Sequence, residues 1–232
     1  IFNIKNWVYH IMAKNKLQRF SEIRNFNNVI EINYDDIFNN KTAGCWQKDI
    51  FKNNNPIVLE LACGKGEYTI GLAKKNPNKN YIGIDIKGER IWKGAKDAID
   101  LNLDNVRFLR TRIEHLNLVF SENEVSEIWI TFPDPFLKKS KSRKRLTSLR
   151  FLEIYKQILS KKSFIHLKTD SQELYEYTLD VLVKNKLRIL ENLNDITKNK
   201  KIRDLDIKTY YEKKFNLMGK SITYIKFMLN NI

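Results

Sequence analysis

Cysteine and histidine are scarce in this 232-residue chain, which has only Cys45 and Cys63, and His10, His115 and His166. Two thiols cannot build a disulfide framework, and with three scattered histidines they match no zinc-ligand spacing, so no metal site is expected. No apolar run approaches the ~20 residues needed to cross a bilayer, which argues against a membrane-spanning protein. The stretch Trp7–Met12 is too short, and its flanks too polar, for a signal peptide. A reducing, cytoplasmic setting is therefore expected. Internal repeats and low-complexity linkers are also absent, leaving one domain with an appendage as the expected organisation.

Hydrophobic residues make up 42% of the chain and aromatics 12%, enough for a folded core and too much for a disordered tail. The formal net charge is +15 with a pI of about 9.6, which favours a polyanionic partner through phosphate contacts and counterion release. Lysine is abundant everywhere, so clustering says more than the total. Six of the eight residues from Lys138 to Arg145 are basic, and they follow the turn Phe132-Pro133-Asp134-Pro135-Phe136. That turn closes the apolar run Ile128–Thr131, which reads as a buried strand. One carboxylate at a strand end thus stands beside a cationic loop. The carboxylate can orient a small group while Lys138, Lys139, Lys141, Arg143, Lys144 and Arg145 track a phosphate backbone, which gives affinity without base identity. Lys198–Arg203 is a second basic run.

Residues 1–55 form a polar, Asn-rich arm ending in the turn cluster Asn53-Asn54-Asn55-Pro56. Within it, Met12-Ala13-Lys14 has the look of a natural start. From Pro56 to residue 232 strands and helices alternate. Strands are predicted over 57–61, 81–86, 106–109, 127–132, 163–167, 188–193 and 222–227, with helices through 68–73, 91–101, 151–159 and 172–183. Such alternation predicts an α/β fold with a mostly parallel, seven-stranded sheet and helices on both faces. Ligands of such sheets sit beyond the carboxyl ends of the strands, so residues that end strands carry the most weight.

The first of these strands ends Leu59-Glu60-Leu61-Ala62-Cys63-Gly64-Lys65-Gly66-Glu67. Gly64 and Gly66 permit a tight turn and close approach of a ligand at a helix N-terminus. Asp85 closes the second strand, 85 − 66 = 19 residues past Gly66, where an acid can accept hydrogen bonds from ribose hydroxyls. Nicotinamide and S-adenosylmethionine sites share this device. A dinucleotide fingerprint needs glycines at 62, 64 and 67, and positions 62 and 67 hold Ala62 and Glu67. Glu60, inside the strand end, would repel a pyrophosphate but suits a cationic methionine moiety. S-adenosylmethionine is the better fit.

These segments, with Lys168-Thr169-Asp170 and Tyr211-Glu212-Lys213-Lys214-Phe215, occur in an order that resembles the bacterial tRNA (guanine-N(7)-)-methyltransferases from about Lys14 to Phe227. The Phe-Pro-Asp-Pro turn followed by Arg143-Lys144-Arg145-Leu146-Thr147 is the most specific part. The resemblance implies a Rossmann-like methyltransferase fold. It implies that Glu60, Asp85 and Asp134 contact the methyl donor or lie beside it, with Asp134 the active-site residue. It further implies that Lys138, Asp170 and Thr209, Tyr210, Tyr211 and Glu212 bind tRNA, at a guanine of the variable loop. No obligatory protein partner is expected. Three positions depart from the family pattern. Ala62 replaces the first glycine, Phe136 stands where tryptophan is usual, and Thr111-Arg112-Ile113 lacks the acid that meets the adenine in many relatives.

N(7) of guanine carries an in-plane lone pair and no proton, so its methylation needs positioning and desolvation and no general base. Asp134 would then orient the base and stabilise developing positive charge. Asp170 could supply a second acceptor or cap the following helix. Two alternatives stay open. One is a methyltransferase for exocyclic amines, a chemistry that favours an Asn/Asp-Pro-Pro-aromatic turn. The other is a catalytically silent RNA-binding relic of the fold.

Overall fold

The computed structural model describes residues 16–196 and 204–229. Met12 and the basic run Lys198–Arg203 lie outside these residues. The described residues form an eight-stranded sheet of β1 (Val29–Glu31), β2 (Ile57–Leu61), β3 (Asn80–Asp85), β4 (Val106–Arg110), β5 (Val125–Thr131), β6 (Leu159–Thr169), β7 (Arg188–Leu193) and β8 (Thr223–Met228). Their spatial order is β1-β4-β3-β2-β5-β6-β8-β7. Pairing is parallel from β1 through β6, while β8 inserts antiparallel between β6 and β7. Every residue of β2 and β3 is buried, as expected of a central parallel strand covered on both faces.

Strands alternate their side chains between two cores. Leu59, Ile82, Ile128, Ile165 and Leu167 face one core, closed by α3 (Leu149–Ile158) and α4 (Gln172–Lys184) through Phe151, Leu152 and Leu174. Val58, Tyr81, Phe108, Trp129 and Tyr224 face the other, closed by α1 (Glu67–Lys75) and α2 (Gly88–Asp100) through Tyr68, Leu72, Ile91 and Ala95. A further helix, α5 (Tyr210–Leu217), follows the second undescribed segment.

The eighth strand is the departure from the expected seven. β1 comes from the Asn-rich arm, where Val29, Ile30 and Glu31 pair with Phe108, Leu109 and Arg110. Three half-buried edge residues are too few to show a period. The arm also enters the core. Trp46 is fully buried, stacks on Phe120 at 5.0 Å, and its indole Nε1 donates to the carbonyl of Val119 at 3.0 Å. Among the described residues no helix is long and apolar enough to cross a membrane.

Strand order reverses between β2 and β5, with β3 and β4 on one side and β6 on the other. The crevice beyond the carboxyl ends of strands at such a reversal is where α/β sheets bind ligands.

Candidate active site

The turn leaving β2 is left-handed at Ala62 (φ 57°), Gly64 (φ 56°) and Gly66 (φ 69°). At Gly64 an added Cβ would meet nothing within 4 Å, so the backbone there stands open to a ligand. At Gly66 it would come within 2.5 Å of the Phe108 ring and 3.4 Å of Gly94 Cα. Gly66 is thus required by the close packing of α1, α2 and β4, whatever the turn binds. Ala62 holds the same left-handed geometry with a Cβ, at a cost of about 1 kcal/mol or somewhat more.

Glu60 lies inside the fold. One carboxylate oxygen accepts from the amide (2.8 Å) and hydroxyl of Thr69, and the other accepts from the Thr131 hydroxyl at 2.6 Å. It therefore bridges β2, α1 and β5 across the reversal point. Burial raises its pKa to about 7 against the opposing pull of those donors. Asp85 ends β3, where Oδ2 accepts from the Gly64 amide at 3.0 Å and Oδ1 from the Lys87 amide at 2.9 Å. Each oxygen keeps a lone pair for a further donor.

Beside Asp85, a cavity of about 100 Å³ opens at the carboxyl ends of β1, β3 and β4. Ile32, Ile86, the tilted Tyr34–His115 ring pair (5.8 Å), Arg110 and Arg112 line it. Thr111 is buried there, and its hydroxyl has no hydrogen-bond partner among the described residues. Such an orphaned group is costly unless something else satisfies it.

Beyond β5, the loop is left-handed at Phe132 (φ 47°) and Phe136 (φ 42°), on either side of Asp134. Paired outliers of this kind concentrate at functional sites. The Phe132 amide donates to the Lys168 carbonyl at 2.8 Å, which pins the loop to β6. Asp134 is exposed, and its Oδ1 accepts from the Phe136 amide at 2.9 Å. Lys138, Lys139, Lys141, Arg143 and Lys144 are exposed on the following turn. Arg145 is not. It is 7% exposed, donates to the carbonyls of Pro135 (3.0 Å) and Phe136 (3.2 Å), and lies 4.3 Å over the Tyr177 ring. The structure takes it out of the phosphate-facing set and makes it the brace of the Asp134 loop.

Asp170, at the end of β6, pairs with Lys220 at 2.7 Å. The cap of α4 is instead Ser171, whose hydroxyl accepts from the Leu174 amide at 3.2 Å. Thr209 caps α5, accepting from the Glu212 amide at 3.2 Å. In a reciprocal capping box the Glu212 carboxylate would turn back to Thr209. Here it turns inward to Lys168, 2.6 Å away, in an ion-pair contact without hydrogen-bond alignment. Lys168 Nζ also donates to the carbonyls of Leu205 and Ile207, each at 3.1 Å. Thr209 and Glu212 are buried, so neither is placed for direct contact with a large solvent-borne ligand. Tyr210 and Tyr211 remain outside.

A family model described as "Putative methyltransferase" matches residues 54–225. The tRNA (guanine-N(7)-)-methyltransferase of Christiangramia forsetii is 50% identical over 94% of this chain and 99% of its own length. That of Bacteroides fragilis is 46% identical over 94% of this chain and 87% of its own. The chain belongs to the tRNA (guanine-N(7)-)-methyltransferase family. The resemblance carried by the sequence motifs is thereby borne out. The fold agrees as well. An antibiotic-related methyltransferase superposes with a TM-score of 0.58 at 17% identity, over 87% of this chain and 96% of that one. A SAM dependent methyltransferase from Aquifex aeolicus gives 0.53 at 16% identity, over 75% and 81%.

In this methyltransferase, Gly64, Asp85, Asp134 and the exposed basic turn gather on the carboxyl edge of the sheet. Glu60 and Gly66 lie beneath that edge, with their groups turned into the protein. Sequence reasoning missed Thr69 and Thr131, which hold Glu60, and Lys168, which anchors the segment before α5. For Lys168 a signal was present: it occupies the same strand face as buried His166, where a lysine needs a partner.

Proposed function

We propose that this methyltransferase transfers a methyl group from S-adenosylmethionine to N(7) of a guanine in the variable loop of tRNA. It would work in the cytoplasm without an obligatory protein partner. The observation that carries the reading is the convergence of the Gly64 turn, Asp85 and Asp134 at one reversal point, in a chain 50% identical to a named member of the family.

The residues present fit the donor. Asp85 has acceptor capacity for ribose hydroxyls, and Gly64 leaves its backbone open. The cavity beside Asp85, with the Tyr34 and His115 rings in its lining, suits an adenine, whose ring edge would satisfy the orphaned Thr111 hydroxyl in place of the acid found there in many relatives. When bound, S-adenosylmethionine supplies a methyl group carried on a cationic sulfur. Glu60 lies below the turn, beside the donor, and shapes the turn through Thr69 and Thr131. On the acceptor side, Asp134 is free to receive hydrogen bonds from the guanine edge and to stabilise the positive charge that develops on the purine. No proton has to leave N(7), so Asp134 acts by orientation and field. Lys138, Lys139, Lys141, Arg143 and Lys144 would hold the phosphates, and the Asp170–Lys220 pair borders the same face.

Asp134→Ala tests the assignment. Methyl transfer should fall to background while the donor dissociation constant stays within about tenfold, roughly 1.4 kcal/mol. Undiminished turnover would refute it.

A further inference from the structure

One peptide unit in the loop after β5, that between Pro135 and Phe136, is held on both sides. Its N–H donates to Asp134 Oδ1 at 2.9 Å, and its carbonyl accepts from Arg145 Nε at 3.0 Å. A peptide unit is planar, so fixing the carbonyl fixes the direction of the N–H. Arg145 thus orients the group that orients the Asp134 carboxylate. A second donor of the same guanidinium, Nη2, reaches the Phe136 carbonyl at 3.2 Å. The two gripped carbonyls flank the left-handed Phe136 (φ 42°), a conformation that persists only where its surroundings impose it.

Arg145 is itself held by the body of the fold. Its guanidinium lies over the Tyr177 ring of α4, and the residues after it are pinned to the same two helices. The Leu146 carbonyl accepts from the Tyr155 hydroxyl of α3 at 3.0 Å, and the Thr147 and Thr178 hydroxyls meet at 2.7 Å. Arg145 therefore closes the exposed turn Lys138–Lys144 at its base, where the turn leaves the Asp134 loop and returns to the core. Its neighbours Arg143 and Lys144 stay in solvent. Two donors on one edge of a planar group are particular to arginine. A lysine would keep the charge but offer one ammonium in place of the fork.

We infer that Arg145 is a positioning residue for methyl transfer, setting the Asp134 carboxylate through the Pro135–Phe136 peptide. This rests on the role proposed for Asp134. The test uses the full chain with unmodified tRNA and S-adenosylmethionine. It combines single-turnover methyl transfer at saturating substrates, tRNA affinity over a salt series, and thermal midpoints. Arg145→Lys keeps the charge and loses the fork, and its rate should fall about 10- to 100-fold with tRNA affinity within about threefold. Arg145→Gln removes the charge and should be equally slow, with the salt slope of tRNA binding unchanged. Arg143→Ala, by contrast, should weaken binding and lower that slope by about one. The proposal is overturned if Arg145→Lys turns over within about twofold of the parent, or if Arg145→Gln lowers the slope as Arg143→Ala does. Should both Arg145 variants lose their thermal transition, Tyr177→Leu carries the test. With no ring beneath the guanidinium its rate should fall about three- to tenfold, and a parental rate overturns the proposal. Undiminished turnover in Asp134→Ala would refute the role of Asp134 instead. Hydrogen exchange of the Phe136 amide, which needs no substrate, then judges the clasp. It should be about fivefold faster in Arg145→Lys, and parental exchange there overturns the proposal.

Discussion

Replacing Glu60 by glutamine should change how stability depends on pH far more than it changes stability at acid pH. Glu60 has an ordinary pKa of 4.5 in the unfolded chain and about 7 in the fold, because burial penalises its charged form more than three hydrogen bonds favour it. Between these values the unfolded chain releases the proton while the native chain keeps it. The native state then binds more protons, so stability falls as pH rises from 4.5 towards 7 and the loss is complete above it. The gap of 7 − 4.5 = 2.5 units corresponds to about 3 kcal/mol at 1.36 kcal/mol per unit. His166 works in the opposite direction. Burial lowers its pKa, against Glu127, so the native state resists protonation and stability rises with pH through 6.5. Comparing the parent with Glu60→Gln cancels that contribution. The glutamine carbonyl can still accept from Thr69, and its amide can donate to the rotatable Thr131 hydroxyl. Urea unfolding at pH 5 and pH 8 should show the variant gaining about 2.5 kcal/mol on the parent between the two pH values, because part of the effect is already spent below pH 5. A difference constant within about 0.5 kcal/mol would mean that Glu60 ionises normally in the fold, and the reasoning from burial would fail.

Ala62→Gly should relieve the left-handed strain at φ 57° and stabilise the chain by about 0.5–1 kcal/mol after the entropy of glycine is allowed for, a rise of a few degrees in Tm by calorimetry. An unchanged or lowered Tm would show that the turn does not resist the Cβ. Lys168→Met leaves the Glu212 carboxylate buried without a cation and should cost about 3–5 kcal/mol in urea unfolding, most of it recovered in Lys168→Met/Glu212→Leu. A single variant within about 1 kcal/mol of the parent would contradict a buried ion pair.

What could be read from the sequence was mainly what repeats or recurs. The central strands β2 and β3 appear as apolar runs because a parallel sheet covered on both faces buries every residue there, and Asp85 follows Gly66 at the offset an acid on a ribose needs. β1 escaped because three edge residues have no period. The direction of a polar side chain was harder to read, because it depends on partners brought in by the fold. Arg145 sits in a cationic run yet turns inward, since two carbonyls of the loop before it and the Tyr177 ring offer better company than water. Glu212 came from the sequence only as a tRNA contact implied by the resemblance, and its partner in the fold, Lys168, comes from a strand elsewhere in the chain. The Thr111 hydroxyl could not have been found at all, because an unpartnered group shows itself only once its surroundings are known.

The most direct test of the central claim is to incubate the purified chain with unmodified tRNA and methyl-labelled S-adenosylmethionine, digest the RNA and identify the labelled nucleoside. Label in 7-methylguanosine is the predicted result. Label in any other nucleoside, or none while the donor binds and tRNA is present, would contradict the account.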